Sequence, residues 1–165
     1  MNFNEYTKLS ERTDNKLLTI EERVTNYSLS MCEEVGEIIS LLKKYWWHDH
    51  TLDIEELMKE FGDCFWYISQ IKRLNDFTFY EVNINKDSFE RKQDALEALV
   101  VESGYYMHLK TNYELNRVYW TLRAFLEMFD IKFAMVLERN IAKLEKRYPE
   151  KFNSVDSVKR VDIVG

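Results

Sequence analysis

Apolar residues recur at intervals of three and four over most of this chain, which is the spacing of one face of an α-helix. A first long helix is predicted to begin at a capping box after Thr19 and to end near residue 46. A second is predicted to begin after Asp53 and to end near Leu74. The pattern therefore predicts two long helices joined by a short loop over 47–52.

The same spacing continues to Pro149, the only proline of the chain. Since the residue before a proline avoids the α conformation, the last helix is expected to stop there. The other predicted elements are a short helix within 1–18, helices over about 89–110, 111–129 and 132–148, additional helix starts at Thr78 and Asp87, and an irregular tail over 150–165.

The composition favours an all-α fold. The 165 residues include one proline and four glycines, whereas sandwiches and barrels use these residues at many turns. Hydrophobic residues make up 45% of the chain, enough to build the core of one domain without metal or disulfide links. We therefore expect 1–165 to form a single domain, an antiparallel bundle of about five main helices.

The net charge and the cysteine content indicate which binding partners and which cellular compartment to expect. The net charge of −6 argues against nonspecific binding to nucleic acid or to an anionic membrane. No apolar run approaches the roughly 20 residues of a membrane span, and no signal peptide is expected. Cys32 and Cys64 both fall on apolar stripes, which predicts buried thiols rather than a disulfide framework. These features favour a protein of the reducing cytoplasm.

Two four-residue motifs share the order acid, apolar residue, glycine, acid. Each motif places its two acids three positions apart, on one face of a predicted helix and beside the apolar stripe. If the two helices pack as an antiparallel hairpin, the four carboxylates can converge. Glu34, Val35, Gly36 and Glu37 form the first motif, and Glu60, Phe61, Gly62 and Asp63 form the second.

Four converging carboxylates repel one another unless a cation neutralises them. Hard divalent cations prefer oxygen ligands, and Mg²⁺ is commonly held by carboxylates together with substrate phosphates. The glycine inside each motif costs its helix about 1 kcal/mol relative to alanine, which predicts close helix packing beside the site. Acid pairs of this spacing are also common on solvated helix faces, and that interpretation stays open. The predicted ligands of Mg²⁺, or of Mn²⁺, are Glu34, Glu37, Glu60 and Asp63.

These motifs and their surroundings resemble those of the MazG-like, all-α nucleoside triphosphate pyrophosphohydrolases. The similarity covers about 1–80 and 131–158 of the chain. It includes the order of the acids, the two glycines and the aromatic pair that follows the second motif. The segments that carry it are 3–13, 33–37, 60–67 and 140–149.

The resemblance implies a Mg²⁺-dependent hydrolase that cleaves a nucleoside triphosphate between its α and β phosphates, giving a monophosphate and pyrophosphate. The four acids would be the catalytic residues: they would hold the metal, and one of them would help to deprotonate the attacking water. Shorter relatives use a partner chain to close the site, so a homodimer is expected. The base and sugar stay open among dUTP, dCTP, purine deoxynucleotides and non-canonical nucleotides.

The last predicted helix is a candidate for binding the substrate phosphates. Asn140, Lys143 and Arg147 fall within about 60° of one face, next to the apolar stripe that ends at Tyr148. The cationic groups suit phosphate, and the four residues match the family's C-terminal helix. Lysine and arginine also favour a helix C-terminus through the helix dipole, which is the simpler interpretation.

The loop between the acidic helices holds a second group of candidates. Lys44 is a further candidate for phosphate, and Trp47 for stacking on the nucleobase, although tryptophans at such an edge more often pack in the core. His48 matches a histidine often found there in relatives. Asp49 stands where many relatives have glycine, which predicts a departure in the loop.

The segment 81–130 is longer than the connection that the family usually has at this point of the chain. Glu102 and Gly104 repeat the frame of the acidic motifs, but Tyr105 stands in place of the second acid. The fourth predicted helix, around 116–119, has no acidic pair. We interpret this stretch as a candidate for a decayed second copy of the helical hairpin, able to complete the bundle without binding metal.

Two other classes of function stay open on sequence alone. A catalytically idle helical module would keep the fold and bind a nucleotide or a protein partner without turnover. A di-metal redox bundle is disfavoured because the chain contains no Glu-x-x-His motif.

Overall fold

A computed structural model describes residues 1–159, and every regular element in this range is helical. The all-α prediction is thereby confirmed. Beside the α-helices there are short 3-10 turns at Glu11–Thr13 and Lys86–Ser88. The α-helices are α1 (Phe3–Ser10), α2 (Ile20–Trp47), α3 (Ile54–Leu74), α4 (Lys92–Leu109), α5 (Asn112–Met128), α6 (Phe133–Arg147) and α7 (Ser154–Lys159).

The two predicted caps fix where the long helices begin. The Thr19 hydroxyl accepts a hydrogen bond from the backbone N–H of Glu22 at 3.2 Å, and the Glu22 carboxylate accepts one from the N–H of Thr19 at 2.8 Å. Asp53 accepts hydrogen bonds from the backbone N–H groups of Glu55 and Glu56 at 2.9 and 3.1 Å. Both caps satisfy N–H groups that the first turn leaves without a partner.

The predicted helix start at Thr78 is wrong. Side chains of α5 hold this stretch instead, because they donate to its carbonyl oxygens and so compete with helical pairing. Asn112 donates to the carbonyl of Thr78, and Asn116 and Trp120 both donate to that of Tyr80, each at 2.8 Å. Residues 78–82 therefore have no helical structure.

Two further boundaries differ from the prediction. Near Asp87 there is only the short 3-10 turn, and α4 begins later, at Lys92, where Asp94 accepts a hydrogen bond from the N–H of Arg91. The tail predicted to be irregular contains α7 (Ser154–Lys159). The part of that prediction that covers 160–165 lies outside the described residues.

Helices α2 and α3 form an antiparallel hairpin. Tyr27, near the start of α2, contacts Trp66 and Tyr67 in the second half of α3, with ring centroids 5.1 and 5.9 Å apart. Glu34, further along α2, faces Glu60, which is nearer the start of α3. Helices α4 and α5 form a second hairpin that packs on the first, and α1 and α6 pack against α3.

The prediction of buried thiols is confirmed for Cys64 and only in part for Cys32. Cys64 is fully buried, Cys32 is half-buried, and both are free thiols. None of the helices in 1–159 combines the length and the apolar composition that crossing a membrane requires.

Asp14 anchors the segment between α1 and α2, a feature that the sequence did not predict. Its carboxylate is completely buried and pairs with Arg23 of α2 and with Arg73 of α3, the latter at 2.5 Å. It also accepts a hydrogen bond from the hydroxyl of Tyr27 at 2.7 Å. The carboxylate therefore joins this segment to both helices of the first hairpin.

Replacing Asp14 with asparagine is expected to lower the free energy of unfolding by roughly 3 kcal/mol, because two partly buried arginines lose the buried carboxylate that they share. The loss would be measured by urea denaturation followed by circular dichroism. Asp87→Asn is the matched control, since Asp87 is exposed and its replacement should change stability by less than about 0.5 kcal/mol. Equal stabilities of the Asp14 variant and the unmodified protein would contradict this account.

Candidate metal centre

Three of the four predicted carboxylates meet between α2 and α3. Glu34, Glu37 and Glu60 each present one oxygen, and these oxygens all lie within 4.8 Å of one another. Glu60 is only 2% exposed, whereas Glu34 is half-buried and Glu37 is exposed. Oxygens that share one Mg²⁺ lie roughly 3–4 Å apart, since each is about 2.0–2.1 Å from the ion. The three acids therefore need only small movements to share a cation.

Asp63, the fourth predicted ligand, is engaged by α6. The amide nitrogen of Asn140 donates to its Oδ1 at 2.8 Å, and the ammonium group of Lys143 binds the same oxygen. Asp63 does line the same cleft as the three glutamates. The structure thus holds it at the edge of the acidic cluster, because α6 packs on α3 at this position.

The acids raise one another's proton affinity. Burial, followed by the charge of Asp63 and then by Glu60 and Glu37, raises the pKa of Glu34 to about 8. Burial also raises the pKa of Glu60, against the opposing effect of Lys59. Without a cation the cluster therefore favours a bound proton, which a divalent cation can displace.

Lys59 is a charged neighbour that the sequence-based search missed. Its ammonium group lies 2.8 Å from Glu60 and 2.6 Å from Glu56, and it lines the cleft beside the cluster. It precedes Glu60 directly, so helical periodicity alone does not place it next to the same carboxylate. The ammonium group of Lys59 thus partly neutralises the buried carboxylate of Glu60, and both residues still line the cleft.

The acidic cluster opens into a cleft of about 450 Å³. From the acids the cleft runs towards the first half of α2 and towards the segment before it. Its walls combine amide groups, aromatic rings and one guanidinium, which suits a ligand with both polar and flat parts. Away from the acids it is lined by Asn15, Asn26, Trp66, Arg147, Tyr148 and Phe152.

The four C-terminal candidates, three on α6 and Tyr148 directly after it, divide into two pairs. Asn140 and Lys143 hold Asp63, as described above, whereas Arg147 and Tyr148 line the cleft one turn further on. The predicted common face is therefore present on the helix. Only its second half is directed at the open cleft.

The candidates at the end of α2 and directly after it lie away from the cleft. Lys44, Trp47 and His48 are absent from its lining, and Trp47 is 63% exposed. Lys44 follows Glu37 by seven residues, which is about 10 Å along a helix. The prediction that this end of α2 faces the substrate is not supported, because the cleft extends from the acids in the opposite direction.

Trp66 was overlooked as an aromatic wall of the cleft. It follows Asp63 by three positions, so helical spacing puts the two residues on one face of α3. Its indole N–H donates to the hydroxyl of Thr13 at 2.8 Å, which fixes the ring against the segment after α1. The spacing of three residues between Asp63 and Trp66 was the feature of the sequence that could have identified Trp66 as part of the cleft.

The glycines of the two motifs differ in their surroundings. A Cβ added at Gly62 would lie 3.0 Å from Cβ and from Nδ2 of Asn140, so the predicted close packing holds there. A Cβ added at Gly36 would meet nothing within 4 Å, so the prediction is wrong for that residue. Close helix packing therefore accounts for the glycine of the second motif, on α3, but not for the glycine of the first motif, on α2.

Asp49 adopts the backbone conformation of a glycine. Its φ of 55° lies in the left-handed region, which side chains with a Cβ rarely adopt and which aspartate tolerates better than most. The loop therefore differs from the expected one in the type of residue at this position. The backbone of the turn after α2 keeps the conformation that a glycine would adopt.

In the second hairpin, an arginine neutralises Glu102, the acid that repeats the frame of the acidic motifs. Glu102, which is 8% exposed, accepts a hydrogen bond from Nε of Arg117 at 2.8 Å and a second from its Nη2. Gly104 has open space around it, unlike Gly62. The α4–α5 hairpin therefore has no comparable cluster of acids among the described residues.

Comparison with known proteins gives no further guidance. No family model matches the chain, and neither the curated proteins nor the solved structures contain a significant match. The family resemblance accordingly stays a prediction from the motifs.

The metal-free protein is expected to lose stability as the pH rises from about 4.5 to about 8. Over this range folded Glu34 retains a proton that the unfolded chain has released, so the free energy of unfolding falls with pH. Glu34→Gln should flatten this part of the urea-midpoint profile, and Glu21→Gln, an exposed change on the same helix, should not. Identical slopes in the Glu34 variant and the unmodified protein would show that this carboxyl does not carry the effect.

Proposed function

We propose that this chain is a Mg²⁺-dependent nucleoside triphosphate pyrophosphohydrolase that produces a monophosphate and pyrophosphate. The observation that carries the proposal is the cluster of three carboxylate oxygens at the head of a cleft. Such a cluster suits a hard divalent cation, and a cation held this way suits phosphate oxygens. The motif resemblance supplies the reaction class.

In this proposal Glu34, Glu37 and Glu60 hold the cation, with Asp63 at its edge. A bound Mg²⁺ would supply charge neutralisation at the phosphates and would activate water for the hydrolysis. The exposed Glu37 has the most contact with solvent among the three and is the best placed to take a proton from water. Lys59 opposes the effect of burial on the pKa of Glu60 and so favours the ionised form that would bind the cation.

The cations of α6 are proposed to hold the phosphate chain. Arg147 lines the cleft, and a guanidinium can bind two phosphate oxygens at once. Lys143, which pairs with Asp63 at the edge of the acidic cluster, would be the second cation for the phosphates. Both residues would position the phosphates for attack by water.

The base is proposed to lie at the aromatic end of the cleft. Trp66 and Tyr148 offer ring surfaces there, and the amide groups of Asn15 and Asn26 offer hydrogen bonds to a base edge. Trp66 replaces Trp47 in this role, since the latter lies outside the cleft. Cytoplasmic location and a homodimer stay part of the proposal as predictions from the sequence.

The proposal is tested by incubating purified protein with Mg²⁺ and each common NTP and dNTP, then separating the phosphorylated products. We expect at least one nucleotide to give monophosphate and pyrophosphate. Glu37→Gln should reduce turnover at least about tenfold, as expected when a metal site is damaged. Glu21→Gln on the same helix is the matched control and should retain full activity.

Isotopically labelled water identifies the phosphorus that is attacked. Label in the monophosphate means attack at the α phosphorus, and label in the pyrophosphate means attack at the β phosphorus. Release of orthophosphate would contradict the proposed reaction. Silence across the panel, with a folded protein by circular dichroism, would favour the idle binding module instead.

A further inference from the structure

Tyr6 of α1 is joined to the acidic cleft through one side chain of α6. Its hydroxyl is completely buried and donates a hydrogen bond to Oδ1 of Asn140 at 2.6 Å. The Asn140 amide nitrogen in turn donates to Oδ1 of Asp63 at 2.8 Å. A continuous chain of hydrogen bonds therefore runs from the N-terminal helix to an acid of the candidate metal centre.

The Tyr6 hydroxyl and the Asp63 carboxylate together hold the Asn140 amide in one orientation. An amide can present either its oxygen or its nitrogen to a neighbour, and only the nitrogen can donate to a carboxylate. The nitrogen therefore faces Asp63, and the oxygen faces Tyr6, whose hydroxyl donates to it. Reversal of the amide would turn its oxygen towards the Asp63 carboxylate and lose that hydrogen bond inside a buried site, where unpaired polar groups are costly.

Packing prevents the amide from moving aside. Asn140 is 3% exposed, and its side chain fills the space over Gly62, where a Cβ would lie 3.0 Å from it. The hydroxyl of Tyr6 also lies 3.5 Å from the carbonyl oxygen of Gly62. Tyr6, Gly62 and Asn140 thus form one packed unit next to Asp63.

The arrangement leaves half of the Asp63 carboxylate available. Asn140 and Lys143 both bind Oδ1, and within residues 1–159 no donor to Oδ2 accompanies them. Fixing one oxygen fixes the orientation of the whole carboxylate. We infer that Tyr6 is a positioning residue, which holds Asp63 through Asn140 so that Oδ2 is ready for a divalent cation or its water. This inference rests on the proposed metal centre.

The direct test is Mn²⁺ affinity, measured from the electron paramagnetic resonance signal of the free ion, which requires no turnover. Tyr6→Phe removes only the hydroxyl and is expected to weaken Mn²⁺ binding about tenfold, the usual size for loss of a residue that orients a metal ligand. Tyr106→Phe is the matched control, because Tyr106 is equally buried and its hydroxyl accepts a hydrogen bond from Ser28. It should leave Mn²⁺ affinity unchanged.

A double-mutant cycle separates positioning from a general loss of stability. If Tyr6 acts through Asn140, Tyr6→Phe should weaken Mn²⁺ binding in the unmodified protein and have no further effect in Asn140→Ala. Thermal unfolding without metal is recorded for every variant. If Tyr6→Phe does not fold, Asn140→Ala alone tests the same link, and the same tenfold loss is expected.

Unchanged Mn²⁺ affinity in Tyr6→Phe, or in Asn140→Ala where that variant stands in, would overturn the inference and leave the proposed function standing. Additive losses in the cycle would overturn it as well, because Tyr6 would then act by another route. No Mn²⁺ binding by the unmodified protein would overturn it together with the metal centre. Positive results here with no nucleotide hydrolysis would refute the proposed function alone.

Discussion

Mutual repulsion among carboxylates is the constraint around which the first hairpin is built. Glu34, Glu37 and Glu60 bring three oxygens within 4.8 Å of one another, and Glu60 is almost completely buried. Burial, and after it the nearby negative charges, favours protonation of Glu34 and raises its pKa. The packing of α2 on α3 therefore carries a free-energy cost that a proton or a divalent cation must offset.

The surrounding elements hold this unfavourable arrangement in place. Lys59 neutralises part of the charge on Glu60, and Lys143 of α6 does the same for Asp63. Asp14 joins the segment before α2 to both helices of the hairpin through Arg23 and Arg73. The rigidity that a ligand cluster needs thus comes from interactions outside the cluster.

Helical periodicity sufficed to place the acids, since an i to i+3 spacing puts both members of each motif on one face. Two caps, Thr19 and Asp53, supplied the helix starts, because their side chains act within one turn of the chain. Periodicity does not say what packs across from a face, so the pairing of Asp63 with Lys143 and the direction of the cleft were not predictable. For the same reason, the sequence did not show that Trp47 lies outside the lining of the cleft.

Growth of crystals in Mn²⁺ and collection of anomalous diffraction would test the central claim most directly. The account predicts an anomalous peak between Glu34, Glu37 and Glu60, with Asp63 bordering it, and no peak there in Glu60→Gln. Absence of a peak in the unmodified protein, or a peak that stays after the substitution, would show that the acidic cluster of the hairpin is not the metal centre.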